Sequence, residues 1–547
     1  MEKIDALHEL HLRLLTESGK DAHHDENPSD STDGQTEDRP EPSKDDIPNE
    51  LDEFIYDGDR GIARLCVKVA EGSMKAISAN GEGYYFHRVA KHWKLESGTL
   101  SRIHVARVLI PFLENSMDFS RDRIGILRAQ MLLSGRQEAA KEEVRLKQLE
   151  RVRRRLNGYG SLGGIFKYVI PDILDPSFEF VMNTADPDSL PIQGGRLISL
   201  RTGEIRDRRK SDLFSFECPV NYLGHDHPCP NATRFFDQVF INDREMIEFA
   251  LQLFGYFMTG HTNDRSFYFL WGTAHNGKSA LVEIMGKILG DFYTPTTVEL
   301  FMKQSRDVNP HNATPALMSL KGRRLCSGSE AEACQRLDEN MIKRLTGDDS
   351  VTGRGLFQKQ KTFRMFAKLL ITTNELPIYR SYVSAMKERV KLIPFLASFV
   401  QRDQRDFNDP RQFERDWQFV EDLRTIHLDE VFTLLVRGAM RWYANDMKLH
   451  YPTICNTVLG QQNVQNDHLG RFIDECCELS DQFRTPTGAF HRACQAWYIS
   501  EGLEPESAGR LGAQMRAKNI RVKNSNGNRY CGIRLIKGAT EPSLPDQ

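Results

Sequence analysis

The chain of 547 residues lacks an apolar run long enough to cross a membrane, and its first residues lack the apolar core of a signal peptide. Its ten cysteines are scattered, which is typical of reduced thiols and not of a disulfide framework. These absences argue against a membrane protein and against a secreted protein. We therefore expect a soluble, intracellular protein that has no membrane partner.

Basic charge is scarce in the first fifty residues. They hold fifteen Asp or Glu against five Lys or Arg, a net charge of −10, whereas the whole chain carries −3. The rest of the chain therefore has a net charge of +7, which is compatible with nucleic-acid binding. Because residues 21–50 also have almost no apolar side chains to bury, we predict a disordered acidic tail over residues 1–50.

A chain of this length exceeds what one hydrophobic core supports, so we expect several domains. Within an α/β fold class, the patterns predict a mixed α+β and helical domain at 51–229, a core of strand-like and helical segments at 230–405, a helical extension at 406–466 and a small basic domain at 467–540. In the first domain, residues 118–157 have the pattern of one long helix, and residues 178–182 and 196–200 resemble strands.

A glycine-rich segment follows the pattern of a buried strand at residues 266–271 and precedes an amphipathic helical run. It matches the P-loop spacing G-x-x-x-x-G-K-S, whose backbone N–H groups bind phosphate. Lys278 is suited to neutralise the β- and γ-phosphates of ATP, and the Ser279 hydroxyl to bind Mg²⁺. The candidate cofactor-binding residues are Gly272, Thr273, Ala274, His275, Asn276, Gly277, Lys278 and Ser279. A chance glycine-rich turn is the alternative.

Polar residues end two further strand-like segments. Residues 321–332 end in Glu330 and Glu332, whose alternate spacing places them on one face of a strand. Carboxylates at this position hold Mg²⁺ through water and polarise the attacking water, although two surface acids would give the same pattern. Asn374 ends the strand-like residues 367–374 and is placed to orient that water. Arg389 precedes another strand and could reach the nucleotide of a neighbouring subunit.

Basic residues alternate with an aromatic residue in two hairpin-like arms at 350–355 and 357–364. Such a pattern suits single-stranded DNA, because the positive charges can bind phosphates and the aromatic ring can stack on a base. An ordinary exposed hairpin is the alternative interpretation, and it stays open. The candidate DNA-binding residues there are Arg354, Phe357, Lys359 and Lys361.

The residues from 505 to 537 include eight Lys or Arg and one Asp or Glu. Helices at 469–479, 486–500 and 508–517, followed by two paired strands, indicate a winged-helix-like domain that contacts duplex DNA. A small packing domain with a solvated basic face is the alternative. The candidate contacts are Arg516 and Lys518 on the last helix and Lys523 and Arg529 on the wing.

Two other groups of residues receive structural interpretations. Cys218, His225, His227 and Cys229 do not have a usual zinc-ligand spacing, so we favour a surface loop and leave zinc binding open. Residues 411–448 read as helices with an apolar stripe that includes Trp417. We expect this stripe to pack in the core rather than to contact a cofactor.

The ordered set of motifs resembles the superfamily 3 helicases, in the phage and plasmid primase–helicase branch that includes the poxvirus D5-like NTPases. The resemblance rests on residues 272–279, the acids at 330 and 332, residues 342–348, residues 373–377, and Arg389 before residues 393–395. It implies an AAA+-like P-loop ATPase core, hexameric rings with ATP sites between subunits, and 3′→5′ translocation on DNA.

The resemblance also implies roles for single residues. It makes Glu330 or Glu332 the Walker B acid, Asn374 the sensor and Arg389 the arginine finger that acts on a neighbouring subunit. Lys343 joins the hairpin at 350–362 as the element that grips DNA.

We therefore expect an ATP-dependent DNA helicase that unwinds duplex DNA in the replication of a virus or mobile element. The alternatives are an ATP-dependent DNA loader or remodeller, and an origin-binding module that uses its P-loop as a nucleotide switch. We see no primase module in the sequence, so we expect a separate primase or polymerase partner.

Overall fold

The computed structural model describes residues 50–129, 133–303, 314–329, 335–347, 350–355, 360–379, 384–465, 467–503, 505–524 and 527–536. The predicted tail at 1–50 lies outside these residues except for its last one. The chain divides into two compact units: one holds residues up to 185 together with 194–196 and 207–216, and the other holds the rest. Across the described ranges, no helix is both long and apolar enough to traverse a bilayer. The four domain boundaries stay predictions.

The helices are numbered here in chain order. They are α1 (Glu50–Tyr56), α2 (Gly58–Ala70), α3 (Gly98–Ala129), α4 (Leu133–Leu156), α5 (Tyr159–Ile173), α6 (Phe178–Val181), α7 (Pro230–Val239), α8 (Arg244–Phe257), α9 (Lys278–Leu289), α10 (Pro315–Met318), α11 (Glu339–Thr346), α12 (Ser384–Arg389), α13 (Trp417–Thr425), α14 (Leu428–Ala444), α15 (Thr453–Gln465), α16 (His468–Cys476), α17 (Thr487–Ser500) and α18 (Ala508–Ala517).

The strands are numbered in the same way. They are β1 (Met74–Ala76), β2 (Gly83–His87), β3 (His92–Glu96), β4 (Ser189–Ile192), β5 (Arg196–Ser199), β6 (Ile205–Asp207), β7 (Phe267–Trp271), β8 (Tyr293–Thr296), β9 (Leu325–Ser329), β10 (Ser350–Arg354), β11 (Gln360–Arg364), β12 (Lys368–Thr373), β13 (Val390–Pro394), β14 (Ser398–Val400), β15 (Gln412–Glu414), β16 (Cys477–Pro486), β17 (Val522–Asn524) and β18 (Asn528–Leu535). Strand β5 confirms the strand predicted at 196–200.

The first unit packs helices α1 to α5 around one apolar core and carries the antiparallel sheet β1–β2–β3. The single long helix predicted at 118–157 is wrong, because the structure has two helices there, α3 and α4. A Cβ atom on Gly135 would lie 2.9 Å from the carbonyl oxygen of Leu127, so the start of α4 closely approaches the end of α3. The two helices bury apolar residues against each other, among them Leu109, Leu113, Leu149 and Val152.

The strand predicted at residues 178–182 is also wrong. These residues form the short helix α6 instead. The Asp175 carboxylate accepts a hydrogen bond from the Ser177 backbone N–H at 3.1 Å, a local turn that starts the helix. The Phe178 ring then packs against Trp93 with 4.9 Å between ring centroids. The apolar residues of this segment therefore pack from a helical turn and not from a strand.

The second unit is built on a five-stranded parallel sheet with the order β13–β7–β12–β9–β8. Strand β7 lies between β13 and β12, and its residues Phe267 to Leu270 are fully buried. All six residues of β12 are buried as well. Such continuous burial is typical of parallel strands that are covered on both faces. The carboxyl ends of β7, β12 and β9 consequently meet at one edge of the sheet.

Helices α8 and α14 of this unit approach each other closely through glycine. A Cβ atom on Gly438 of α14 would lie 2.0 Å from the carbonyl oxygen of Leu251 on α8. A Cβ atom on Gly255 of α8 would lie 2.4 Å from the backbone nitrogen of Ala439. Residues 411–448 were predicted to form helices, and the structure has α13 and α14 there, after the short strand β15 at Gln412–Glu414.

The predicted hairpin is confirmed, because β10 and β11 pair antiparallel from Ser350–Arg364 to Arg354–Gln360. At the C-terminal end, α16, β16, α17, α18, β17 and β18 follow in that order, with the strands paired as β16–β18–β17. The helix predicted at 508–517 is confirmed. The helix predicted at 469–479 ends earlier, at Cys476, because Cys477 already pairs with Leu535 of β18 in the sheet.

Candidate nucleotide-binding site

The glycine-rich loop at residues 272–277 joins the end of β7 to the start of α9. Strand pairing aligns Trp271, the last residue of β7, with Thr373 of β12 and with Pro394 of β13. The loop therefore leaves the sheet at the carboxyl edge, directly beside the residues that follow β12. This is the strand–loop–helix arrangement that the spacing predicted.

Glycine is required at both ends of the loop. Gly272 has a φ of 155°, and a Cβ atom there would lie 2.3 Å from the Phe395 carbonyl oxygen. Gly277 has a φ of 90°, and a Cβ atom there would lie 2.8 Å from Val239. A larger residue at either position would displace the loop, because left-handed backbone and close approach both exclude a side chain.

The Lys278 ammonium group lies inside the loop. It donates hydrogen bonds to the carbonyl oxygens of Gly272 at 2.5 Å and Thr273 at 2.8 Å, and to the side-chain oxygen of Asn276 at 3.1 Å. Burial lowers the pKa of Lys278 to about 8, because a buried ammonium group loses the solvation of its charge. Neutral oxygens therefore hold this cation at the centre of the loop.

Asn374 lies next to this ammonium group. Its side-chain oxygen accepts a hydrogen bond from Lys278 at 3.3 Å, although 96 residues separate the two in the sequence. The parallel pairing of β7 and β12 explains the contact, because both strands end at the same edge of the sheet. The structure thus brings together two of the residues singled out in the sequence, and the role of Asn374 as a sensor stays a prediction.

The two candidate acids, Glu330 and Glu332, lie outside the described residues. The strand before them, β9, is described and pairs with β12 in parallel, with Ser329 opposite Thr372. Strand β9 therefore ends at the same edge as the glycine-rich loop. The choice between the two acids, and the binding of Mg²⁺ by either, stay predictions.

Arg389 lies at the opposite edge of the sheet. It is the last residue of α12 and directly precedes β13, whose first residue is aligned with Phe267, the first residue of β7. Its guanidinium group donates to the Thr346 hydroxyl at 3.1 Å and to the Ala385 carbonyl oxygen at 2.9 Å. A strand of five residues, about 16 Å long, separates this edge from the glycine-rich loop of the same chain.

A cavity of about 820 Å³ opens beside the glycine-rich loop, a volume in the range of small-molecule sites. The Ser279 side chain is exposed and lines it, so its hydroxyl is available as a metal ligand. The glycine-rich loop, the Lys278 ammonium group and the Ser279 hydroxyl together fit a triphosphate with Mg²⁺. The lining also includes residues outside the sequence motifs, which are Phe235, Gln238, Glu283, Phe399, Glu414, Arg415, Asp416, Trp417, Phe419, Val420 and Arg424.

Trp417 corrects the interpretation of residues 411–448 as a purely structural apolar stripe. Its side chain is 67% exposed and lines the cavity, whereas Leu423 and Trp442 of the same stripe are buried. Trp417 is the first residue of α13 and projects before the helix packs against its neighbours. Its apolar character alone could not separate it from the core residues. The sequence signal that could have marked Trp417 as a cavity residue is the run of charged residues directly before it, Glu414, Arg415 and Asp416.

The candidate DNA-binding residues lie in two separate regions of the chain, at residues 343–361 and 516–529. Phe357 and Lys359 lie outside the described residues, whereas Arg354 and Lys361 lie on paired strands of the hairpin, and Lys343 is half-buried on α11.

In the C-terminal region, Arg516 is exposed on α18, and Lys523 of β17 pairs with Arg529 of β18. The Lys518 ammonium group forms an ion pair with Asp467. Binding of DNA by any of these residues stays a prediction.

The Cys/His cluster does not come together as a ligand set. The described residues include no group of three or more His, Cys, Asp or Glu side chains arranged to hold a metal ion. The Cys218 thiol lies 3.5 Å from the Leu289 carbonyl oxygen, and the Cys229 thiol lies 3.4 Å from the His227 carbonyl oxygen. The two thiols therefore contact different backbone groups.

Comparison with known proteins identifies viral relatives. Residues 270–388 match a protein family of unknown function, DUF5906. A protein of Acanthamoeba polyphaga mimivirus that is named a putative helicase is 26% identical over 349 residues, which cover 63% of this chain and 35% of that protein. A putative helicase of invertebrate iridescent virus 3 is 24% identical over 391 residues, or 64% of this chain and 39% of that protein.

Primase D5 of fowlpox virus is 25% identical over 155 residues, which are 28% of this chain and 19% of that protein. Among solved structures, the C-terminal region of NrS-1 in its apo form aligns with a TM-score of 0.35 and 10% identity, over 65% of this chain and 83% of that one. The present chain spans little more than a third of the length of the two helicase-named relatives. It is a homologue of viral proteins named as putative helicases and of the D5 primases, as the order of its motifs predicted.

Proposed function

We propose that the chain is the motor of an ATP-dependent DNA helicase that acts in viral replication. The observation that carries the proposal is the position of Lys278, which is held by the glycine-rich loop and by Asn374 at one edge of a parallel sheet. A loop of this kind with a central ammonium group suits a nucleoside triphosphate. The names of the viral relatives support DNA as the substrate.

The chemistry assigned to the site is water attack on the γ-phosphate of ATP. Backbone N–H groups of the loop and the N-terminus of α9 bind the phosphates, and Lys278 neutralises their charge. Ser279 and either Glu330 or Glu332 would hold Mg²⁺, which supplies further charge neutralisation on the phosphates. Asn374 orients the water, because its amide lies beside the ammonium group that faces the γ-phosphate.

The proposal includes an AAA+-like core that assembles into a hexameric ring. The strand order β13–β7–β12–β9–β8, with the glycine-rich loop after β7, supports the AAA+-like core. The position of Arg389 supports an ATP site between subunits, because this residue lies at the edge remote from the loop of its own chain. In a ring, Arg389 of one subunit would act on the triphosphate bound by the next.

Two elements are assigned to DNA. The β10–β11 hairpin and Lys343 would grip the translocated strand and move it in the 3′→5′ direction. The order helix, strand, helix, helix and two strands at residues 468–535 supports a winged-helix-like domain. There Arg516, Lys518, Lys523 and Arg529 would contact duplex phosphates. A separate primase or polymerase partner completes the proposal.

The test measures ATP hydrolysis and strand displacement by the purified chain on a duplex with a single-stranded tail. We expect hydrolysis that DNA stimulates, and displacement on a 3′-tailed duplex. Lys278→Ala is expected to lower both activities at least about 100-fold, since it removes the charge that neutralises the triphosphate.

Two results would count against the helicase assignment. Hydrolysis that DNA does not stimulate, with no displaced strand, would favour the nucleotide switch. DNA-stimulated hydrolysis without displacement would favour the loader or remodeller. Undiminished hydrolysis by the Lys278→Ala variant would reject the site itself.

A further inference from the structure

A part of the cavity lining outside the glycine-rich loop is attached directly to that loop. The Phe399 backbone N–H donates to the His275 carbonyl oxygen of the loop at 2.8 Å. Strand β14, which contains Phe399, pairs in parallel with β15, and the Arg415 guanidinium group donates to the Phe399 carbonyl oxygen at 3.0 Å. The segment that leads into α13 is therefore held at a fixed distance from the residues that bind phosphate.

Helix α13 begins at the cavity with an exposed indole ring. Asp416 caps the helix by accepting a hydrogen bond from the Phe419 backbone N–H at 2.9 Å. The Arg415 guanidinium group lies 5.5 Å from the centre of the Trp417 ring. The far end of α13 is tied to the helix that follows the loop, because Arg424 forms an ion pair with Glu283 of α9. The position of Trp417 is thus defined from both ends of its helix.

A large aromatic side chain that is 67% exposed on a cavity wall offers apolar surface to a ligand. Lys278 lines the same cavity and attracts phosphate. A nucleoside triphosphate is long and has phosphates at one end and a flat ring at the other. It matches a cavity whose lining includes both an ammonium group and an exposed indole.

We propose that Trp417 stacks on the base of the bound nucleoside triphosphate and makes the site prefer purines to pyrimidines. The inference rests on the proposed nucleotide site and adds its specificity. A two-ring base covers more of the indole than a one-ring base, so stacking and desolvation favour the purine. Gln238, which is half-buried in the same lining, offers an amide donor and acceptor to the edge of the base.

The test compares the binding of ATP, CTP and inorganic tripolyphosphate to the whole chain by calorimetry. Tripolyphosphate is the probe without a base. We expect Trp417→Ala to weaken ATP binding about tenfold, within the range of base–aromatic stacking, and to leave tripolyphosphate binding within about twofold. Trp417→Phe keeps a ring and should lose less than Trp417→Ala. The matched control is Ile426→Ala, an equally exposed apolar residue at the other end of α13, which should change neither affinity.

Three results would overturn the stacking role. They are an unchanged ATP affinity in Trp417→Ala, an equal loss of ATP and tripolyphosphate, and CTP binding as tight as ATP binding in the wild type. In each case the Lys278→Ala variant separates the stacking proposal from the nucleotide-site proposal. If that variant loses the binding of both ATP and tripolyphosphate, the nucleotide site stands although the stacking role fails. If the wild type binds neither ATP nor tripolyphosphate, the proposed nucleotide site itself is wrong.

Discussion

Lys278 is surrounded by neutral oxygen atoms rather than by a carboxylate. The carbonyl oxygens of Gly272 and Thr273 and the side-chain oxygens of Asn276 and Asn374 accept its hydrogen bonds. This arrangement solvates the cation only in part, and its pKa falls to about 8 from the usual 10.5. The negative phosphates of a nucleotide would complete the solvation and raise the pKa again.

The affinity for nucleotide is therefore expected to depend on pH. Below about pH 8 the free site is already protonated, and the affinity that Lys278 contributes is fully present. As pH rises above about 8, binding must take up a proton, so the affinity falls by up to about tenfold per pH unit until the pKa of the bound state is reached. Calorimetry at pH 8.5 in buffers of different ionisation enthalpy measures the proton uptake.

Lys278→Arg is the control, since a guanidinium group keeps its charge in this pH range. The variant should bind nucleotide without proton uptake. A heat of binding that does not depend on the buffer in the wild type would contradict the prediction.

The same pKa has the opposite effect on the stability of the nucleotide-free protein. The unfolded chain binds this proton more tightly than the folded chain, so the free energy of unfolding should rise from about pH 8 towards pH 10.5.

At the residue scale, the sequence correctly predicted that Lys278 follows a loop between a strand and a helix, whereas it wrongly assigned Trp417 to the core. Lys278 is defined by neighbours in the chain, because two glycines and the following helix place its ammonium group. Trp417 is more than 130 residues from the loop, and only the packing of β14, β15 and α13 brings it to the cavity. An exposed tryptophan fits the helical spacing of apolar residues as well as a buried tryptophan does, so the apolar pattern assigned Trp417 to the core.

Among the secondary-structure elements, the β10–β11 hairpin has basic residues on both strands. Thr352 and Thr362 face each other across the strands, with 3.0 Å between their hydroxyl oxygens. Val351 and Phe363 are buried in the core of the second unit, which anchors the hairpin to the sheet. The proposed DNA grip therefore carries its basic residues on strands that are anchored in the core.

We expect Arg354→Ala combined with Lys361→Ala to lower strand displacement at least about tenfold and to keep DNA-independent ATP hydrolysis within about twofold. The reason is that the change would remove two proposed phosphate contacts, and contacts of this kind weaken as salt rises. The measurements are displacement and hydrolysis on the same preparations, together with the salt dependence of single-strand binding.

Lys448→Ala is the matched control, because it removes an exposed positive charge outside both predicted DNA elements. It should leave displacement and binding unchanged. Equal displacement by the hairpin variant and the wild type would contradict the assignment of the hairpin.

The strand β16 shows what local patterns miss in secondary structure. Residues 477–486 follow a helix and are mostly exposed, so the sequence offers little apolar alternation. Their partner β18 lies about fifty residues later, and pairing between Cys477 and Leu535 ends α16. The helix at 508–517 was predicted with its correct bounds, because its amphipathic period is local.

On the scale of the whole molecule, the position of Arg389 has a consequence for assembly. The residue lies at the amino edge of the sheet, whereas Lys278 lies at the carboxyl edge. If Arg389 acts on a triphosphate, it must act on that of another subunit. Single variants at the two positions then remove different halves of the same intersubunit site.

We expect Lys278→Ala to lower hydrolysis at least about 100-fold and Arg389→Ala to lower it about 10³-fold or more. Mixing the two variants should restore activity, because a Lys278→Ala subunit can supply Arg389 to the intact loop of its partner. With random assembly and independent sites, about a quarter of the interfaces are complete. Hydrolysis after co-refolding or prolonged mixing measures the recovery.

The control replaces the Lys278→Ala chain by the double variant, which supplies neither group and should restore nothing. Absence of recovery in the first mixture, with assembly verified by mass measurement in the presence of ATP and single-stranded DNA, would reject the intersubunit site. The mass also tests the predicted hexamer.

The sequence by itself determined the features that depend on neighbouring residues. The glycine-rich loop needs its glycines and Lys278 in a fixed order, and helical periods are likewise local, so both were recognisable in the chain. The tertiary structure decided which distant residues share a cavity and which edge of the sheet each residue occupies. Parallel strand order placed Asn374 beside Lys278 and Arg389 away from it, and packing exposed Trp417 at the cavity, because contacts between distant segments depend on the whole fold.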